Sequence, residues 1–350
     1  MFRFPVCHGS VLVICAFTLM TMLPWSWAPL SAQELTVYSA RHYDADRQLY
    51  ELFTETTGIQ VRVVEDGGDQ LMSRLRAEGR NSSADVFITV DAGRLAVAER
   101  RELFAPVESE YLIKRIPSHL RHPEGLWYAF GQRYRIIVYA KDRVDPAELS
   151  TYEDLVDPKW RGRILVRSSS NVYNQSLMAS MIATHGSEAA EAWARGLAAN
   201  FARQPQGGDR PQIRGVAAGE GDIAIVNHYY TLMMRDSDDP NDAAIWDQIG
   251  LFFPNQGEGE RGAHTNVSGA GMLRYAPNPE HAQAFLEFLA SDAGQEAWIR
   301  GSREFPVVEG ITPPLSPDEY PFRADTSVSA QDLGRWGVPA MMLFDRAGWR

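Results

Sequence analysis

From residue 34 onward, short β-branched runs alternate with helix-periodic stretches, and this alternation restricts the chain more than any other feature. ELTVYSA (34–40) reads as a strand, followed by the polar turn RHYDAD and a helix with Leu49, Leu52 and Phe53 on one face. IQVRVVED (59–66) is a second strand, the Leu71, Leu75 and Arg76 region a second helix, and DVFITV (85–90) a third strand. The theme returns with a strand at RIIVYA (135–140), a helical TYEDLVDPKWRG, a strand at RILVRS (163–168) and a helix from Asn174 to His185. DIAIVNHYY (222–230) runs from a strand into a turn and helix, NVSGAGMLRY (266–275) is a strand, and HAQAFLEFLAS (281–291) an amphipathic helix. Such βαβ alternation predicts an α/β fold with a mainly parallel sheet, whose ligands sit beyond the carboxyl ends of strands. No Pro/Gly/Ser-rich linker interrupts the pattern, so chain crossings within strands are expected near Gly131–Tyr134 and Gly262–Asn266.

The first 32 residues follow another logic. Arg3 is the only charged residue before Glu34, Val11 to Met22 is almost wholly apolar, and the small pair Ser31-Ala32 ends the stretch. This describes a secretory signal peptide cleaved after Ala32, with an apolar run too short for a membrane span. Both cysteines, Cys7 and Cys15, lie inside it. The mature chain then has no disulfide, thiolate metal site or cysteine nucleophile, and its stability must come from a core. A remainder of about 320 residues suffices for that and suggests two domains. Removing the segment takes away one arginine and no acid, moving the net charge from −11 to −12. An acidic surface argues against nucleic acid as a partner, because phosphate binding relies on Lys and Arg.

Three places could carry chemistry. Tyr229 and Tyr230 follow Asn227-His228 at a strand's carboxyl end and bring two phenols to one site, although half-buried tyrosines in that pattern are common. RSSSNVYNQSL (167–177) clusters hydroxyls and free backbone N–H groups at a helix entrance around Tyr173, where an ordinary N-cap would look the same. SARHYDAD (39–46) puts His42 and Tyr43 in the loop after the first strand. Conventional enzyme signals fail. GEGERG (257–262) has dinucleotide-type glycine spacing without a helix to open, and DSDDPND (236–242) lacks the calcium-loop glycine and glutamate. No Walker A lysine, HExxH or GxSxG is present, and no nucleophile–base pair stands out.

Taken together and in order, YSARHYDAD, ADVFITVDAG, RSSSNVYNQSL, NHYY and NVSGAGM resemble the ferric-iron-binding proteins of bacterial ABC importers, most closely the FutA-like branch. The likeness covers the mature chain down to its terminal DRAGWR. It implies a two-lobed periplasmic-binding-protein fold (type II-like) with the ligand in the interlobe cleft. The lobe limits expected are 33–133 with 262–308, and 134–261 with 309–350. It further implies metal ligands Tyr43 from the first lobe and Tyr173, Tyr229 and Tyr230 from the second, with His42 optional. Arg133 in FGQRYR matches an arginine near the metal, and Arg135 is a neighbour held in reserve. Another branch uses a first-lobe histidine and glutamate; Asp91 stands here instead and is not assigned as a ligand. The implied protein is a periplasmic monomer that is not an enzyme and hands Fe(III) to an inner-membrane permease.

Four phenolates carry −4, leaving −1 around Fe(III) and −2 around Fe(II), so a low-dielectric cleft favours the ferric ion. Arg133 would bring the ferric site to zero, and its displacement would make Fe(II) more tolerable. Two alternatives keep the fold: a carrier of a polyamine or small anion, and an iron-binding stress protein not dedicated to uptake.

Overall fold

The structure is a computed structural model that describes residues 33–350 apart from His42, Asp44 and Ala45, together with Met1, Phe2 and Phe4. The rest of the predicted signal segment, up to its expected end at Ala32, therefore lies outside the described residues, as does His42. Strands are β1 (Glu34–Ser39), β2 (Gln60–Glu65), β3 (Val86–Val90), β4 (Tyr128–Ala140), β5 (Ile164–Leu165), β6 (Ile223–Asn227), β7 (Ile249–Phe252) and β8 (Thr265–Met272). Helices α1 (Asp46–Thr57), α2 (Gly68–Glu78), α3 (Ala92–Arg100) and α4 (Glu110–Arg115) occupy the first third. Next come α5 (Val172–His185), α6 (Ser187–Ala199), α7 (Asp209–Ala217), α8 (His228–Arg235), α9 (Pro240–Ala243) and α10 (Ile245–Gln248). The chain ends with α11 (Pro279–Leu289), α12 (Asp292–Ser302) and α13 (Ala330–Ala347).

The sheet runs β2-β1-β3-β8-β4-β6-β5, with β7 also on β4. The β1–β2, β1–β3 and β5–β6 pairs are parallel, whereas β8 runs antiparallel to both β3 and β4. β4 carries the change from one half to the other. It pairs with β8 as far as Tyr134↔Thr265 and with β6 from Arg135↔Asn227 onward. The fold is thus mixed α/β with two halves joined by an extended strand, along which Gly131–Tyr134 pairs with Thr265–Ser268. One core gathers Leu35, Val37, Phe53, Phe87 and Phe285; a second gathers Tyr134, Ile136, Val138, Ile213, Val226 and Phe253. The C-terminal α13 packs on α3 from one side and on α5 and α6 from the other. Among the described residues no helix is long and apolar enough to cross a membrane.

Four local expectations need correction. Residues 151–162 form no helix; two 3-10 turns, Glu153–Val156 and Pro158–Trp160, stand there. Pro158 has no N–H for a helical ladder, and Asp157 turns its carboxylate to the Lys159 N–H (2.8 Å). The strand in RILVRS shrinks to Ile164–Leu165 because the chain leaves β6 for the serine turn. RIIVYA is only the end of β4, which begins at Tyr128 and contains two buried arginines that obscure its pattern. Finally, no turn separates β6 from α8: Asn227, extended at φ −78° and ψ 135°, is both the last strand residue and the N-cap.

Candidate metal centre

Two helix starts and one strand end bring four tyrosines together. On α5, the Asn171 side chain accepts the Tyr173 N–H (2.9 Å), which fixes Tyr173 in the first turn. Asn174 Nδ2 donates to the Arg167 and Ser168 carbonyls (2.8 and 3.1 Å), pinning the serine turn beneath. On α8, Tyr229 and Tyr230 occupy the first turn, with Tyr229 fully buried and Tyr230 partly so. Their rings lie 4.4 Å apart, tilted by 39°, and Asn227 Nδ2 approaches the Tyr229 hydroxyl at 3.4 Å.

Tyr43 comes from the loop after β1 and meets Tyr229 edge-on at 6.4 Å. That loop is clasped at its base. Arg41 donates Nε to Asp46 Oδ2 and Nη2 to Asp46 Oδ1, both at 2.9 Å, and lies 3.6 Å above the Trp298 ring. Its remaining Nη1 reaches Glu304 at 3.2 Å. Burial works against the Glu304 charge, but Arg41 and Arg133, with hydrogen bonds from Ser268 (2.6 Å) and Trp298 (2.9 Å), hold it ionised below the usual carboxylate range.

Arg133 lies over the Tyr173 ring at 5.0 Å, fully buried, and donates Nη2 to the Val267 carbonyl (3.1 Å). Its Nε has no hydrogen-bond partner among the described residues. Arg135 points elsewhere: it binds Asp209 Oδ2 (2.8 Å), Asn174 Oδ1 (2.7 Å) and the Ile225 carbonyl, bracing α5 against α7. Arg167, not singled out in the sequence, lies over Tyr173 at 5.3 Å and pairs with Asp209 at 3.3 Å. Its only sequence signal was its place at the head of RSSSNVYNQSL.

Burial, then the neighbouring phenols, pushes Tyr43 and Tyr229 well above the ordinary tyrosine range; burial, Tyr173 and Asp209 do the same to Tyr230. Without a cation these three hold their protons at neutral pH. A hard trivalent cation would displace them, since anionic phenolate oxygen suits it. Among the described residues no group of three or more His, Cys, Asp or Glu could hold a metal in their place. Asp236 and Asp242 of the acidic run pair with Arg235 and Arg214, and the glycine-rich 257–262 segment opens no helix.

His228, beside the two tyrosines, has both nitrogens occupied. Nδ1 accepts the Tyr134 N–H (3.1 Å) and Nε2 donates to the Arg303 carbonyl (3.1 Å), so the ring is neutral. Burial pushes its pKa down to about 4. The unfolded chain takes up this proton near pH 6.5 and the folded one does not. The stability it contributes is therefore present above pH 6.5 and lost as pH falls toward 4, by about 3 kcal/mol. Glutamine can offer the same acceptor and donor without titrating. Urea melts of His228→Gln between pH 7 and 4 should lose less stability than the parent; equal losses would refute this account.

A family model described as bacterial extracellular solute-binding protein matches residues 81–327. Iron uptake protein A2 of Synechocystis sp. is 49% identical over 91% of this chain and 92% of its own. The solved structure of Trichodesmium FutA in complex with iron and citrate ligands superposes with a TM-score of 0.84 at 48% identity, over 91% of this chain and 100% of that one. The ferric binding protein from Campylobacter jejuni gives 0.85 at 37% identity, over 90% and 100%. With its two-lobed periplasmic-binding-protein fold, the chain belongs to the bacterial extracellular solute-binding proteins.

Proposed function

We propose that this chain captures Fe(III) through the tyrosinates of Tyr43, Tyr173, Tyr229 and Tyr230 and delivers it to an ABC importer. One observation carries the reading: the Tyr43 and Tyr230 rings both lie beside buried Tyr229, and two arginines lie over Tyr173. The iron-related names of the similar proteins support it. Four phenolates around Fe(III) leave −1, and the Arg133 charge offsets it at short range. Fe(II) would leave −2 in the same buried setting and is disfavoured. His42 is an optional fifth donor.

The role is carriage rather than catalysis, in keeping with the iron-uptake and ferric-binding proteins this chain resembles. The partners are the metal ion and an inner-membrane permease, the protein acts as a monomer, and an N-terminal signal cleaved after Ala32 sends it to the periplasm. Residues 33–133 with 262–308 make one lobe and 134–261 with 309–350 the other, a division supported by the change of β4 partner at Tyr134 and Arg135.

Fe(III)-phenolate absorbs visible light. Titrating the mature protein with ferric citrate should therefore produce a coloured band that saturates near one iron per chain and is weakened in Tyr229→Phe. A protein that stays colourless and ignores ferric iron would overturn the proposal in favour of another solute.

A further inference from the structure

We infer that Asp91 and Ser176 form a latch that holds the two halves together behind the tyrosines and slows release of the bound ion. Asp91 joins β3 to α3 at φ 90° and ψ 117°, a backbone conformation a non-glycine residue keeps only when its surroundings enforce it. It is buried, and its N–H donates to the Val267 carbonyl (2.9 Å). Oδ1 accepts the Gly93 N–H (2.9 Å), which is all that capping α3 requires. Oδ2 is used differently. It accepts Ser176 Oγ at 2.5 Å from α5 and Asn266 Nδ2 at 2.8 Å from β8.

Asn266 returns its own oxygen to the Ala92 N–H (2.7 Å) and stands opposite Arg133 in the β4–β8 register. Three segments thus meet on one carboxylate: the β3–α3 junction, the joining seam, and the helix that carries Tyr173. Ser176 follows Tyr173 by three residues, so both lie on one face of α5. The contact fixes where that first turn stands relative to the half that bears Tyr43. A buried hydroxyl–carboxylate bond is charge-assisted, and breaking it is a cost the opening motion must meet. The two residues are positioning groups, acting on the site through the first turn of α5.

The inference rests on the ferric reading only for its kinetic test. Ser176→Ala leaves Asp91 with two donors and puts a strong helix former on α5, so folding is retained. The tyrosinate band and its stoichiometry should be unchanged. Iron loss to excess chelator should accelerate on the order of 10-fold or more, the usual weight of a hydrogen bond to a charged group. The iron-free variant should also have a larger radius of gyration by small-angle scattering. Asp91→Asn, which keeps an oxygen for the Gly93 N–H but turns an uncharged NH2 toward Ser176 in place of the accepting carboxylate oxygen, should release iron at least as fast, and adding Ser176→Ala to it should change little.

Wild-type release rates and radii in both single variants would overturn the latch, even if melting temperatures fell. A parent protein without a band would overturn the ferric reading instead. The latch would then stand or fall on the iron-free radii of parent and Ser176→Ala.

Discussion

Loading the protein with ferric iron at pH 7 should release at least three protons per ion bound, once the chelator's own protons are subtracted. Burial, with Tyr173 as the leading neighbour, holds Tyr43, Tyr229 and Tyr230 above the ordinary tyrosine range, so these three phenols keep their protons in the iron-free protein. Each phenolate must be made by the incoming metal. Linkage then requires the apparent affinity for free Fe(III) to fall by about 1,000-fold for each unit that pH drops. The sign reverses for the iron-free protein. A raised folded pKa contributes stability that is fully present below about pH 10 and lost as pH rises through the folded values, because only the unfolded chain ionises freely there. Acid should therefore strip the metal, and alkali should destabilise the empty protein. Calorimetry in buffers of different ionisation enthalpy counts the protons, and release of one or none would exclude a tyrosinate site.

The parts of this centre that were legible in the sequence share a physical reason. Tyr43 follows a parallel strand, and Tyr173 and Tyr229 open helices behind strands, positions where backbone polarity and topology direct ligands. The groups that were not legible act over distance. Glu304 meets Arg41 across 263 residues of chain, and no local spacing encodes that pair. Arg133 and Arg135 come only from the family resemblance, because inside β4 a buried guanidinium breaks the apolar alternation by which strands are recognised. The helix expected at 151–162 had suitable apolar spacing, but Pro158 overruled it. Residue type alone gives Asp91 no role, and only its three-dimensional contacts give it a part.

Tyr43→Phe should weaken iron binding more than about 100-fold, beyond the loss usual for groups that merely support a ligand, and should remove the contraction expected of the parent protein on binding iron. The substitution is selective. The Arg41–Asp46 clasp and the Trp298 stack hold the loop without the hydroxyl, and the phenylalanine ring keeps its edge contact with Tyr229. What disappears is one oxygen, the only proposed donor among the described residues from the half that begins the chain. The other three phenols stay grouped at the starts of α5 and α8, so some visible absorption should survive in the variant. A metal can draw two halves together only through contacts it gains when they close, and in the proposed site that gain comes from Tyr43. Small-angle scattering with and without ferric iron separates the two functions. Colour without contraction places closure on Tyr43, whereas full contraction at parental affinity would show that the second half and the latch bring the halves together on their own.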